Sequence, residues 1–331
     1  MKDLIKLFVE TYGPSGNEDR IRQTIRQQVK DHADEVRVDA MGNLIVRRAG
    51  KSDGLKVMLA AHMDEIGIIV THVDEKGFLR FAPVGGVWSL GLLGRRVQFA
   101  DGTVGIFGLE KWTEREKVPP MDKMFLDVGA ASKDEVKVRV GDVACFLEPL
   151  TVAGDRLIAK AFDDRIGCAV IAQTLMSLES SPHDLYFVFT VQEEVGLRGA
   201  TTSAFGVAPD MGIAVDVTLT GDTPEAHPMA VSLGKGPAIK VADRSMLAHP
   251  GVKRVLAEAA ERAGVPYQYE VLEFGGTDAA AIQLSRQGVP TGCLSIPSRY
   301  VHSPSEMVDY NDVQNAVKLL VSLLSAPIDL G

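Results

Sequence analysis

Cysteine is scarce: the 331 residues include three, Cys145, Cys168 and Cys293. They are far apart, odd in number and form no Cys-x-x-Cys pair, which argues against a disulfide framework and a thiolate zinc knot. All three are expected to be reduced and mostly buried. No stretch reaches the roughly 18 apolar residues of a membrane span. The opening segment, Met1 to Glu10, carries charges at every turn and has no apolar central region. No signal peptide is therefore predicted, and the cytoplasm is the expected compartment. Basic charge is in deficit, with 35 Lys and Arg against 44 Asp and Glu and a net charge of −9. That balance argues against a nucleic-acid partner. Repeats and low-complexity segments are missing too. What remains is an ordinary globular composition, long enough for one large domain or two ordinary ones.

The chain alternates between two textures. Ser15-Gly-Asn-Glu18 has capping-box spacing, and Ile21, Ile25 and Val29 follow on one helical face. Val36–Asp39 and Gly42–Arg48 read as strands, and Lys56–Ala61 as a buried strand running into His62-Met-Asp64. From about 68 to 155 come short alternating strands broken by turn signals at Asp74–Gly77, Asp101-Gly102, Gly141-Asp142 and Gly154-Asp155. This β-rich stretch is expected to be a small barrel, with a mobile loop at Lys111–Met121. Helix–strand alternation then resumes. Helices are expected at 166–178, 252–263, 278–287 and 313–324. Strands are expected at 185–191, at 211–215 ending in Asp216, and at 291–296. The fold class is thus α/β, with a mostly parallel sheet in two sequence pieces, 1–67 and 156–331, interrupted by a β insertion at 68–155.

Chemistry-bearing residues recur where apolar strands stop. They are His62 and Asp64, Glu193 and Glu194, Asp216, and His302 a short loop beyond 291–296. Asp163 and Asp164 stand at the mouth of a helix. Singly, each has a plain reading as a cap, a solvated turn or a hydrogen-bonded loop residue. A parallel sheet, however, brings its carboxyl ends to one rim. Five carboxylates and two imidazoles there would raise one another's pKa values unless cations compensate. Asp, Glu and His suit zinc or cobalt, and the lack of cysteine points to an open hydrolytic site. Charge counting favours two divalent ions, an arrangement that activates water and polarises a carbonyl or phosphoryl oxygen.

These residues resemble a family. Ala61-His62-Met-Asp64-Glu-Ile-Gly67, Phe162–Arg165, Gln192–Gly196, Val215-Asp216 and His302–Glu306 follow the motif order of the TET-type (tetrahedral) metallo-aminopeptidases, over nearly the whole chain. That family includes glutamyl and deblocking aminopeptidases, and some relatives carry an endoglucanase label. The resemblance implies that Asp163 bridges two metals. It implies that His62 and Asp216 complete one, and Glu194 and His302 the other. Glu193 would be the general base and Asp64 would orient His62. It further implies a dinuclear aminopeptidase carrying zinc or cobalt, with manganese as a third choice, and acting on peptides. The inserted domain would make dimers that build hollow twelve-subunit tetrahedra. Gly275, Gly276 and Thr277 are expected to border the substrate pocket, where a flexible pair meets a helix N-terminus. Competing readings are a related metallo-carboxypeptidase or deacylase, a metal-free glycosidase using Glu193 and another carboxylate, and a non-catalytic scaffold.

Overall fold

The computed structural model describes residues 1–51, 54–112 and 117–331. Among these residues the strands form an eleven-stranded mixed sheet and a closed barrel. The middle of the sheet is parallel, with Asp184–Thr190, Lys56–His62, Met211–Thr218 and Thr291–Arg299 side by side in that order. Leu44–Arg48 and Glu35–Val38 continue it antiparallel on one flank. Glu306–Asp309, Arg156–Ala159 and Thr151–Ala153 continue it on the other. Ala238–Ala242 branches from Thr291–Arg299 and pairs in turn with Gln268–Val271.

The central strands are apolar because helices cover both faces. Side chains alternate along a strand, so Val57, Leu59 and Ala61 join one core while Met58 and Ala60 join another. The first core includes Ile5 and Phe8, Ile21, Ile25 and Val29, and the buried faces of Phe162–Ser177, Pro250–Ala263 and Tyr310–Leu324. The second takes Ala200, Ala204 and Val207 from the helix Arg198–Val207, and Ile282 from Asp278–Gln283.

The barrel closes through six antiparallel strands. In order around it these are Gly67–Val73, Leu79–Val84, Met124–Asp127, Val104–Leu109, Arg96–Phe99 and Val143–Phe146. It has a core of its own, with Ile68, Val70, Leu79, Val97, Phe107, Leu126 and Phe146. Phe81 meets Phe107 edge-on at 5.1 Å between ring centroids. Part of the expected mobile loop, residues 113–116, lies outside the described residues.

Some local expectations need correction. Ser15 does not cap the helix Asp19–Val29; its hydroxyl donates to Asp64 Oδ2 at 2.6 Å instead. Glu18, the other half of the expected box, accepts the N–H groups of Gly16 and Gln192. Both residues are diverted by the rim of the sheet. Asp216 lies inside the strand Met211–Thr218, because pairing with Thr291–Arg299 continues past it. The helix after Thr277 stops at Gln283, and left-handed Arg286 and Gly288 turn the chain into the next strand.

Candidate metal centre and active site

The rim gathers the predicted residues from four segments of the sheet and one helix. His62 ends its strand directly beside Thr190 of the neighbouring strand. Gln192 is left-handed, with φ of 54°, and this turns the chain so that Glu193 and Glu194 follow over the sheet edge. His302 sits in the loop after Thr291–Arg299, also at positive φ. Asp163 and Asp164 open the helix Phe162–Ser177 with non-helical dihedrals, joined by a cis peptide bond.

Asp163 stands between the two imidazoles. Its Oδ1 lies 2.9 Å from His62 Nε2, and its Oδ2 lies 3.2 Å from His302 Nε2. His302 Nε2 is also 3.2 Å from Glu194 Oε2. Two groups of donor atoms fall within 4.8 Å of one another: His62 with Asp163 and Glu194, and His62 with Asp164 and Asp216. Asp164 is otherwise engaged, since its oxygens accept the N–H groups of His62 and Gly167. Glu193 Oε2 lies 3.8 Å from His62 Nε2.

A ring of carboxylates fixes this arrangement. Asp64 accepts the N–H of Glu193 at 3.0 Å and that of Glu194 at 3.2 Å, while His62 Nδ1 lies 3.2 Å from its carbonyl oxygen. Glu306 accepts the N–H of Asp163 at 2.8 Å and that of His302 at 3.0 Å. The barrel presses on the centre as well. A Cβ on Gly86 would come within 2.3 Å of His302 Nδ1, so only glycine leaves the imidazole its place. Reading the sequence for chemistry passed over Ser15, Gly86 and the role of Glu306. The Gly85-Gly86 doublet beside a barrel strand was the one available signal.

The electrostatics are those of acids crowded without enough positive charge. Burial pushes Glu193 and Glu194 above the usual carboxylate range, and Asp216 up to about 7. Burial disfavours charge on His302, yet Asp163 and Glu194 outweigh it and push the imidazole up to about 12. His62 is likewise held well above its ordinary value against burial, by Glu193, Asp163 and Asp64. This excess of buried negative charge is what bound cations would compensate. Glu194 Oε1 is buried with no hydrogen-bond partner. Such an oxygen is costly unless something positive faces it. The donor set and this orphaned atom together fit a metal centre.

A cavity of about 500 Å³ lies over the cluster. Gly275, Gly276 and Thr277 line it, and so do Leu197, Leu272 and Phe274. Thr277 also caps its helix by accepting the Ala279 N–H at 3.3 Å.

Carboxylates and imidazoles gathered at the carboxyl rim of a parallel sheet, under a cavity, define a metal-dependent hydrolase. The chain belongs to the M42 glutamyl aminopeptidase family, whose model matches residues 42–319. It is accordingly a metal-dependent aminopeptidase, a hydrolase acting on peptide bonds. A putative aminopeptidase of Acetivibrio thermocellus is 52% identical over 326 residues, covering 98% of each chain. An aminopeptidase structure from the archaeon Desulfurococcus kamchatkensis matches with a TM-score of 0.94 and 42% identity, over 98% of this chain and 94% of that one. The Pyrococcus horikoshii TET1 peptidase matches with a TM-score of 0.87 and 34% identity, over 98% of each chain.

Proposed function

We propose that the chain is a dinuclear aminopeptidase that releases N-terminal residues from peptides, using two divalent ions of zinc, cobalt or manganese. The observation that carries this reading is the placement of Asp163, one oxygen toward His62 and the other toward His302. Asp163 is assigned as the bridge, His62 and Asp216 as ligands of one ion, and Glu194 and His302 as ligands of the other. Bound there, the ions would supply a polarised scissile carbonyl and an acidified water.

The protein's own part is positioning and proton transfer. Glu194 has a 3% exposed side chain held against His302, whereas that of Glu193 is 13% exposed. Glu193 is therefore assigned as the general base: it takes the proton of the attacking water and returns it to the leaving amine nitrogen. Asp64 orients His62 and pins the backbone of both glutamates. Gly275, Gly276 and Thr277 border the space for the terminal residue. Carboxypeptidase, deacylase and metal-free glycosidase readings are not favoured, because the family is one of aminopeptidases and the acids are interleaved with imidazoles.

We assign the part read as residues 1–67 and 156–331, to whose sheet Thr151–Ala153 also pairs, to the catalytic domain, and the insertion read as 68–155, whose barrel takes in Gly67, to dimerisation. The P. horikoshii relative is described as assembling into a tetrahedron or a large octahedral shell. That description supports dimers building a dodecamer here. The described residues contain no helix long and apolar enough to cross a membrane, which is compatible with the cytoplasm. Metal analysis beside a panel of aminoacyl p-nitroanilides tests the core of this reading. Two ions per active chain are expected; full activity with one would overturn the dinuclear assignment.

A further inference from the structure

Beyond the strand Asp184–Thr190, four consecutive backbone N–H groups are held by side-chain oxygens of three distant residues. Val191 donates to Asn43 Oδ1 at 3.0 Å, and Gln192 to Glu18 Oε1 at 3.2 Å. Glu193 and Glu194 donate to the two oxygens of Asp64. All three acceptors are buried. A sheet normally satisfies such donors with carbonyls of its neighbouring strands. Here the neighbours have run out, since Thr190 lies beside His62 and Phe189 beside Leu44 at their ends. Side chains take over.

The acceptor at Gln192 sits where the chain turns. Gln192 is left-handed, with φ of 54°. A residue with a Cβ adopts that conformation at a cost and keeps it only where its surroundings impose it. Its side chain and carbonyl both serve Arg198: Oε1 accepts Nη1 at 3.0 Å, and the carbonyl accepts the Arg198 N–H at 3.3 Å. The N–H is left for Glu18. The same Glu18 oxygen accepts the Gly16 N–H at 2.7 Å, and nearby Ser15 donates to Asp64 Oδ2 at 2.6 Å. The segment Ser15–Glu18 thus reaches the turn twice, directly through Glu18 and by way of Asp64.

The two glutamates depend on this turn unequally. Glu194 has an anchor of its own, with Oε2 at 3.2 Å from His302 Nε2. The Glu193 carboxylate lies 3.8 Å from His62 Nε2, beyond hydrogen-bond reach, so the backbone sets its aim. We propose that Glu18 is a positioning residue for the reaction: its carboxylate fixes the turn at Gln192 and thereby aims Glu193. The proposal rests on the assignment of Glu193 as general base.

The test compares Glu18→Ala, Glu18→Gln, Glu193→Gln and the double variant Glu18→Ala with Glu193→Gln. Each is used full-length and metal-loaded, on one aminoacyl p-nitroanilide. Glu18→Ala should lower kcat by about 10–100-fold, as a slightly misplaced reacting group does, with KM and metal content like the wild type's. Glu18→Gln keeps an acceptor oxygen and should recover most of that loss. In the Glu193→Gln background the Glu18→Ala loss should shrink to about twofold or less, because the two residues act as a unit. Should Glu18→Ala not fold, Glu18→Asp, which is shorter by one methylene, takes its place with the same expectations. An unchanged kcat beside a lowered melting temperature would make Glu18 a structural anchor of the helix Asp19–Val29 and overturn the proposal. An equal loss in both backgrounds, a loss that follows missing metal, or a Glu18→Gln as slow as Glu18→Ala would overturn it too. Near-normal turnover in Glu193→Gln overturns the base assignment, and the proposal with it. A normal kcat in Glu18→Ala beside a slow Glu193→Gln overturns only the role of Glu18.

Discussion

Neighbouring residues on a chain point in different directions, and Glu193 and Glu194 exploit this. Both border the cavity, but Glu193 is the more exposed, while Glu194 is held against His302 with one oxygen that no donor reaches. Glu193→Gln should keep the full metal content while kcat falls by about 10²–10⁴-fold, the usual worth of a positioned base. Near-normal turnover in that variant would place the base elsewhere. Glu306 should behave in the opposite way. Its carboxylate joins the backbone of Asp163 to that of His302, and Glu306→Gln sets an amide N–H against one of these donors. Ion affinity should drop by roughly 10–100-fold, as for other residues that orient ligands, measured by titration of the metal-free protein. At this scale the sequence was legible wherever a charged or imidazole side chain followed an apolar run. It was silent on Ser15, whose hydroxyl crosses to Asp64, since nothing local distinguishes that serine from a cap.

The elements hold these residues through backbone that carries no chemistry. Gly86 is the clearest case, and Gly86→Ala should displace His302, lowering metal affinity and activity with far-UV circular dichroism unchanged. Wild-type metal binding in that variant would show that the barrel rim yields instead. Away from the site, Arg299 grips Asp222 with two bonds, at 2.9 and 2.8 Å. Burial pushes the Asp222 carboxyl up, but Arg299, Thr220 and the Leu233 N–H prevail and hold it down at about 2. A lowered folded pKa contributes stability above the unfolded value of about 3.9, lost as the pH falls through about 2. Asp222→Asn should therefore lower the melting temperature at pH 7, and the gap should close toward pH 2. A gap independent of pH would sink this explanation. Strands such as Asp184–Thr190 could be read from apolar runs because both faces are covered. The helix Arg198–Val207 escaped because its buried face is built from small residues, Ala200, Ser203 and Ala204, which give little periodic contrast.

Over the whole molecule, the sheet with its helices and the barrel meet at one charged seam. Stripping the ions with a chelator should lower the melting temperature, because buried acids lose their compensation, and reloading should restore it. An unchanged melting curve would mean that the imidazoles neutralise the site unaided. The parallel centre and the inserted barrel were foreseeable from hydrophobic period and turn chemistry. Their docking was not, since contact at the seam beside the site involves glycine, an absence of side chain. That contact, Gly86 against His302, has a thermodynamic corollary. If shifting the barrel changes how tightly the ions are held, loading the ions must bias the barrel's position by the same free energy. Should the barrel also be the surface through which copies pair, ion loading and association would be reciprocally linked. Dilution and chelation would then act on a single equilibrium.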